Sequence, residues 1–221
     1  MGAVLFDMDG TLIDSEPLWQ RTEAKIVASF GKVWTEKDGE TLTGNSLFDS
    51  ASLMIQLKNL PLEPGTAVEM MVSNMHELYT LEGVPWIPGA RELLSELASA
   101  QIPTALVSAS YDLLVRDVCA SAPQGSLEVM VTGSEPNMRQ KPSGDPYRLA
   151  AQRLHVPIEN CLVVEDSAPG LAAGQDAGAR LALVGPREVT DIPAACFDSV
   201  GHLRLRDIQE LFCLLYTSDA A

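Results

Sequence analysis

Asp7 and Asp9, separated by one residue, stand at the end of the apolar run Ala3-Val4-Leu5-Phe6 and are followed at once by Gly10-Thr11. Four apolar residues suit a short buried strand rather than a helix; Val4 and Phe6 favour it and Gly10 breaks it. The spacing starts both carboxylates toward one side of the strand end. Two anions held that close repel unless a cation sits with them, and hard oxygen ligands favour Mg²⁺. An ordinary Asp-Gly turn is the competing reading. It accounts for Asp9-Gly10 but not for the second carboxylate at Asp7.

Three later segments carry more chemistry. Ser108-Ala109-Ser110 ends the apolar run Thr104–Val107. Lys141 sits in the polar loop 132–144, and Glu165-Asp166-Ser167 ends the run Cys161–Val164. Each has a plain structural reading: Ser108 as a helix N-cap, Lys141 as a solvated loop lysine, Glu165-Asp166 as an acidic helix start. Together they supply a nucleophile, an acid/base, a hydroxyl donor, a cation and metal-binding carboxylates. In a parallel sheet the carboxyl ends of the strands share one edge, where such folds place their ligands.

The elements that must position these residues alternate. Strands are expected at residues 3–6, 104–107, 127–131, 161–164 and 181–184, with a last edge strand at 196–200. Helices are expected over 90–100, 111–120, 146–154, 168–177 and 203–215. This alternation predicts an α/β fold, a doubly wound (Rossmann-like) parallel sheet. Residues 15–84 lack a convincing strand and read as a helical insert. It begins with Ser15 as N-cap before Pro17, and continues with a turn capped by Thr35, a helix over 47–57 and a Met-rich helix over 64–81. Met70, Met71 and Met75 read as packing within that insert. The domains are therefore 1–14 plus 85–215 for the α/β core and 15–84 for an inserted α-helical cap, with 216–221 as a frayed tail.

The totals exclude several classes. The 221 residues are 46% hydrophobic, enough to bury a sizeable core. The formal net charge of −15 leaves no basic footprint for nucleic acid. No apolar run is long enough to span a membrane and no signal peptide is recognisable, so a cytoplasmic protein is expected. Four scattered cysteines fit free thiols in a reducing compartment, and three histidines show no metal-like spacing. A monomer is expected.

Asp7-Met8-Asp9-Gly10-Thr11, Ser108 within Leu106-Val107-Ser108-Ala109-Ser110, Lys141-Pro142 and Glu165-Asp166-Ser167 occur in this order. They resemble the four motifs of haloacid dehalogenase superfamily phosphohydrolases, subfamily IA, with a helical cap after the first motif. The resemblance spans residues 3 to about 184. Asp14-Ser15-Glu16-Pro17-Leu18-Trp19 is similar to the opening of sugar-phosphate phosphatases in the β-phosphoglucomutase-like branch. The resemblance implies that Asp7 attacks phosphorus to give an aspartyl-phosphate, and that Asp9 protonates the leaving alcohol and then activates water. It implies Mg²⁺ held by Asp7, the Asp9 backbone carbonyl and Asp166, with Glu165 in the outer shell ordering metal-bound water. Lys141 would balance charge, while Ser108 and nearby backbone N–H groups, with Thr11, Ala109 and Ser110, would hold the phosphoryl group. Trp19, Gly44, Asn45 and Ser46 are the expected selectors of the leaving group, in a cap that closes over the site.

Two departures from the family pattern bear on function. Gly144 replaces the second proline of Lys-Pro-x-Pro-Asp, which is expected to loosen the loop. No arginine lies between Arg21 and Arg91, so a second phosphate would lack a clamp there. The expected function is a Mg²⁺-dependent phosphomonoesterase acting on a small phosphorylated metabolite, a sugar or polyol phosphate. A phosphosugar mutase and a non-catalytic phosphate-binding module are the alternatives. Dehalogenation is disfavoured, because it needs neither Asp9 as an acid nor a metal.

Overall fold

The computed structural model describes residues 2–42, 46–186 and 190–213. The chain separates into two compact units, Met1–Asp14 with Trp86–Ala221, and Ser15–Pro85.

The first unit is built on six parallel strands: β1 (Ala3–Phe6), β2 (Thr104–Val107), β3 (Val129–Val131), β4 (Cys161–Glu165), β5 (Arg180–Val184) and β6 (Ala195–Phe197). Their order is β3-β2-β1-β4-β5-β6. Chain order therefore runs outward in both directions from β1, and the switch point lies between β1 and β4. That is where an open parallel sheet leaves a crevice at its carboxyl edge. Every residue of β1, β2 and β4 is buried, as befits strands covered on both faces.

The pleat sorts these strands into two faces. Ala3, Leu5, Ala105, Val107, Cys161 and Val163 share one core cluster with Tyr147, Ala150 and Ala151 of α7 (Asp145–Arg153) and Ala173 and Ala177 of α8 (Ala168–Ala177). Val4, Phe6, Leu106, Leu162 and Val164 are buried on the opposite face. Complete burial of one such large apolar side chain stabilises by roughly 1.5–3 kcal/mol. Here α5 (Ala90–Ser99) packs on α9 (Leu205–Cys213), and α9 on β4. The remaining helix of this unit, α6 (Asp112–Ser121), buries Leu114, Val115 and Val118. Beside β1, Ile13 bridges Trp86, and Ile87 N donates to the Leu12 carbonyl at 2.9 Å.

Most boundaries differ from the sequence reading by one or two residues, and Pro85 groups with the helical unit rather than the core. β3 starts at Val129, because Leu127 takes a left-handed φ of 51° and its N–H donates to the Thr104 hydroxyl at 2.7 Å instead of a ladder partner. β6 ends at Phe197, and Val200 opens a 3-10 turn. The helix expected from Tyr111 starts one residue later, at Asp112. Leu214 and Leu215, and the expected tail 216–221, lie outside the described residues.

In the second unit, α1 (Glu16–Ser29), α2 (Glu36–Glu40), α3 (Leu47–Lys58) and α4 (Pro64–Glu82) follow one another with no strand among the described residues. α4 packs against α1 and α3. Met54, Met71 and Met75 are fully buried, Met70 is half-buried, and the methionines pack within the unit as expected. Thr35 caps α2 reciprocally with Asp38: Asp38 N donates to Thr35 Oγ1 at 3.3 Å, and Thr35 N to Asp38 Oδ2 at 2.8 Å. Ser15, by contrast, precedes α1 with no capping bond from its side chain. Glu23 is buried at 5% exposure and accepts from Trp34 Nε1 at 2.9 Å. Burial pushes its carboxyl up to about 7, against the pull of the Trp34 bond.

Candidate active site

β1 delivers Asp7 as its direct continuation: Asp7 N still donates to the Val164 carbonyl at 3.0 Å. Two-residue alternation puts Asp7 in line with Leu5, and Glu165 in line with Val163, on the face that α7 and α8 cover. The turn after β1 is closed by Gly10 N donating to the Ile13 carbonyl at 2.8 Å and Leu12 N to the Met8 carbonyl at 2.9 Å. This leaves Asp9 half-buried beyond the strand end.

Lys141 reaches into this cluster from the loop after β3. Its Nζ donates to Asp7 Oδ1 at 2.6 Å, Glu165 Oε1 at 2.6 Å and the Val107 carbonyl at 3.1 Å. All three donor hydrogens of an ammonium are thereby used. The loop is pinned rather than loosened at Gly144, which corrects the sequence expectation. Gly144 N donates to Asp176 Oδ2 at 2.7 Å, and a Cβ there would sit 2.4 Å from Ala177 N. A proline has neither the N–H nor the room, so the departure from the family pattern anchors Lys141's loop to α8.

Glu165 is fully buried, and both of its oxygens are engaged. Oε1 accepts from Lys141 and from the Tyr147 hydroxyl at 2.8 Å; Oε2 accepts from Asp166 N and Ser167 N at 3.2 Å and from Ser167 Oγ at 2.9 Å. Burial opposes its charge, yet Lys141 and these donors hold the carboxyl below its ordinary value. The carboxylate lies against Gly170, where a Cβ would come within 1.8 Å of Oε1.

Asp166 accepts from the Thr11 hydroxyl at 3.3 Å. Burial, and then the Glu165 charge, push its carboxyl up to about 6. Burial and Glu165 likewise raise Asp7 well above the usual carboxylate range, with Lys141 pulling it back. One oxygen each from Asp7, Glu165 and Asp166 lie within 4.8 Å of one another. Ionising all three carboxylates beside a single lysine needs a further cation, and an all-oxygen donor set suits a hard divalent one.

Asp9 faces the end of β2, where Ser110 Oγ donates to its Oδ2 at 2.9 Å and Ser108 Oγ lies at 3.4 Å. Ser108 Oγ also accepts from Ser110 N at 3.0 Å. It thus organises the turn after β2 and does not cap α6, whose cap residue is Tyr111. Ala109 is exposed at the tip of that turn.

Asp7, Asp9, Ser108, Ser110, Lys141, Glu165 and Asp166 are therefore gathered at one edge of the sheet. Thr11 is completely buried, with its hydroxyl directed at Asp166. In the helical unit, Trp19 is half-buried on α1, and Ser46 is the N-cap of α3, accepting from Asp49 N at 3.1 Å. Gly44 and Asn45 lie outside the described residues. Sequence reasoning missed Tyr147, a fully buried aromatic six residues after Lys141. Its sequence signal is one large ring among buried helix positions that are otherwise Pro146, Ala150 and Ala151.

Several known proteins are similar to this chain in sequence or fold. Hexitol phosphatase A of Escherichia coli is 33% identical over 180 residues, covering 81% of this chain and 81% of that protein. A phosphorylated carbohydrates phosphatase of Thermotoga maritima is 31% identical over 185 residues, covering 80% and 82%. A bifunctional riboflavin kinase/FMN phosphatase of Arabidopsis thaliana is 30% identical over 185 residues, but this chain spans only 48% of its length. Among solved structures, CbbY from Rhodobacter sphaeroides in complex with phosphate superposes with a TM-score of 0.82 at 27% identity, covering 95% of this chain and 99% of that one. Residues 1–178 match the haloacid dehalogenase-like hydrolase family, and the chain belongs to it.

Proposed function

We propose that the protein is a Mg²⁺-dependent phosphomonoesterase that hydrolyses a small sugar or polyol phosphate through an aspartyl-phosphate on Asp7. The observation that carries this reading is the arrangement of the first motif: Asp7 is bound by Lys141 at 2.6 Å, and Asp9 is turned instead toward the serines after β2. Two carboxylates two residues apart thus occupy different environments, which is what a nucleophile and an acid/base require. The relatives named for hexitol and carbohydrate phosphates support the substrate class.

Asp7 attacks phosphorus; the O–P bond to the carboxylate forms as the bond to the alcohol oxygen breaks. Asp9 gives its proton to that oxygen, then removes one from the water that cleaves the acyl phosphate. Ser108 and Ser110 hold the Asp9 carboxylate while it changes protonation state. Lys141 keeps positive charge beside the nucleophile as the anionic phosphoryl group approaches. Asp7 and Asp166, with the Asp9 backbone carbonyl, would hold Mg²⁺, which supplies charge neutralisation at the phosphoryl oxygens when bound.

Phosphate release from an aryl phosphate, with and without Mg²⁺, tests this in wild type and Asp7→Asn. Metal-dependent release by the wild type that vanishes in the variant is the expected result. Undiminished release by Asp7→Asn would mean a different nucleophile. Interconversion of a sugar phosphate without net release would mark a mutase.

A further inference from the structure

Lys141 is held by two carboxylates, and only one of them can take part in attack. The other, Glu165, has an oxygen close enough to Asp7 and Asp166 to join the acidic cluster. What keeps it directed at the lysine is therefore a question about its remaining contacts. Its Oε2 is fixed by Ser167 and by two backbone N–H groups of the same turn, Asp166 N and Ser167 N. Its Oε1 has one fixed partner besides the lysine, the Tyr147 hydroxyl at 2.8 Å.

Tyr147 is placed for this with little freedom. It is the largest fully buried side chain among the described residues, packed in the cluster that α7 shares with β1, β2 and β4. Its ring also lies beneath the ammonium, with Lys141 Nζ 5.0 Å from the ring centroid. Ring and hydroxyl thus contact both members of the Lys141–Glu165 pair from one side.

We infer that Tyr147 is a positioning residue: its hydroxyl orients Glu165 Oε1 toward Lys141, and its ring seats the ammonium, so that Nζ stays on the nucleophile Asp7. This rests on the phosphohydrolase reading for its catalytic consequence, but the placement of Lys141 is independent of it. Without the hydroxyl, Oε1 keeps only the lysine, and the carboxylate can pivot about its fixed Oε2 and shift Lys141 off the nucleophile.

Tyr147→Phe keeps the ring and removes only the hydroxyl. With an aryl phosphate and saturating Mg²⁺, kcat is expected to fall about tenfold while KM changes by less than about twofold, as for loss of positioning rather than of substrate contacts. A second measurement needs no activity. Brief labelling with acetic anhydride, read by mass spectrometry, gives the acetylation rate of Lys141 relative to Lys25 and Lys37 in the same molecules. The variant should label Lys141 at least about threefold faster, as its restraint is lost, with the reference lysines unchanged. An unchanged relative rate overturns the inference, and so does a rise shared by all three lysines, which would make Tyr147 merely structural. Unchanged kcat in an active enzyme also overturns it. A wild type with no phosphatase activity would refute the phosphohydrolase reading alone, leaving the labelling result to decide the role of Tyr147.

Discussion

Among the described residues, the α/β unit and the helical unit each bury one glutamate, and the two respond oppositely to burial. Glu165 is surrounded by five donors, one of them an ammonium, and stays below its ordinary carboxyl value. Glu23 accepts from the neutral Trp34 indole and is pushed up to about 7. Burial is common to both, so the donors decide the charge state. A buried carboxylate that must stay charged needs its partners built into the fold. One that need not can be neutralised by a proton.

The same substitution should therefore act with opposite sign at the two sites. Glu165→Gln leaves Lys141 with one carboxylate fewer in a dry site. A buried pair broken in this way costs about 3–5 kcal/mol, to be read as a lowered denaturation midpoint with at least about 10²-fold loss of kcat. Stability unchanged by Glu165→Gln would erase the contrast. Gly144→Pro attacks the same cation indirectly, through the loop that carries it. Loss of the bond to Asp176 and the clash with Ala177 together cost about 2–4 kcal/mol, measured by thermal unfolding.

Glu23→Gln should instead stabilise the protein, by an amount that grows from about pH 4.5 and is complete above 7. The folded state holds the Glu23 proton up to about pH 7, whereas the unfolded chain releases it near 4.5. The group's stabilising contribution is therefore full below pH 4.5 and lost as pH rises through 7. At pH 8 the variant gains on the order of 2 kcal/mol after allowing for partial solvent access, while at pH 4 the two proteins unfold together. Unfolding curves at the two pH values give the sign directly. Trp34→Phe is the mildest change. Removing the indole donor should raise the carboxyl further and cost about 1 kcal/mol at pH 8, with less effect at pH 4.

The chemistry of the first unit was legible because it sits in local patterns. An apolar run ending in Asp7-x-Asp9, and another ending in Glu165-Asp166, declare both strand and site. Gly144 misled, because its meaning lies in Asp176 and Ala177, more than thirty residues away in another helix. Tyr147 is hidden for the same reason: an aromatic facing inward from a helix reads as packing until its hydroxyl partner is known. Thr11 and Ser46 carry hydroxyls that suit a phosphate site by type, yet one is directed at Asp166 and the other caps a helix. The start of β3 depended on the left-handed backbone of Leu127, which apolar patterning does not reveal.

The central position of β1 has a consequence for how the chain is made. Its hydrogen-bonded neighbours are β2 and β4, so once synthesised it waits for residues 104–107 and then 161–165 before its ladder is complete. Residues 15–85, which form a compact unit of their own, can fold during that interval. The nascent protein thus exposes Val4, Leu5 and Phe6 until residues 161–165 have been synthesised, and its need for a chaperone is greatest before β4 emerges.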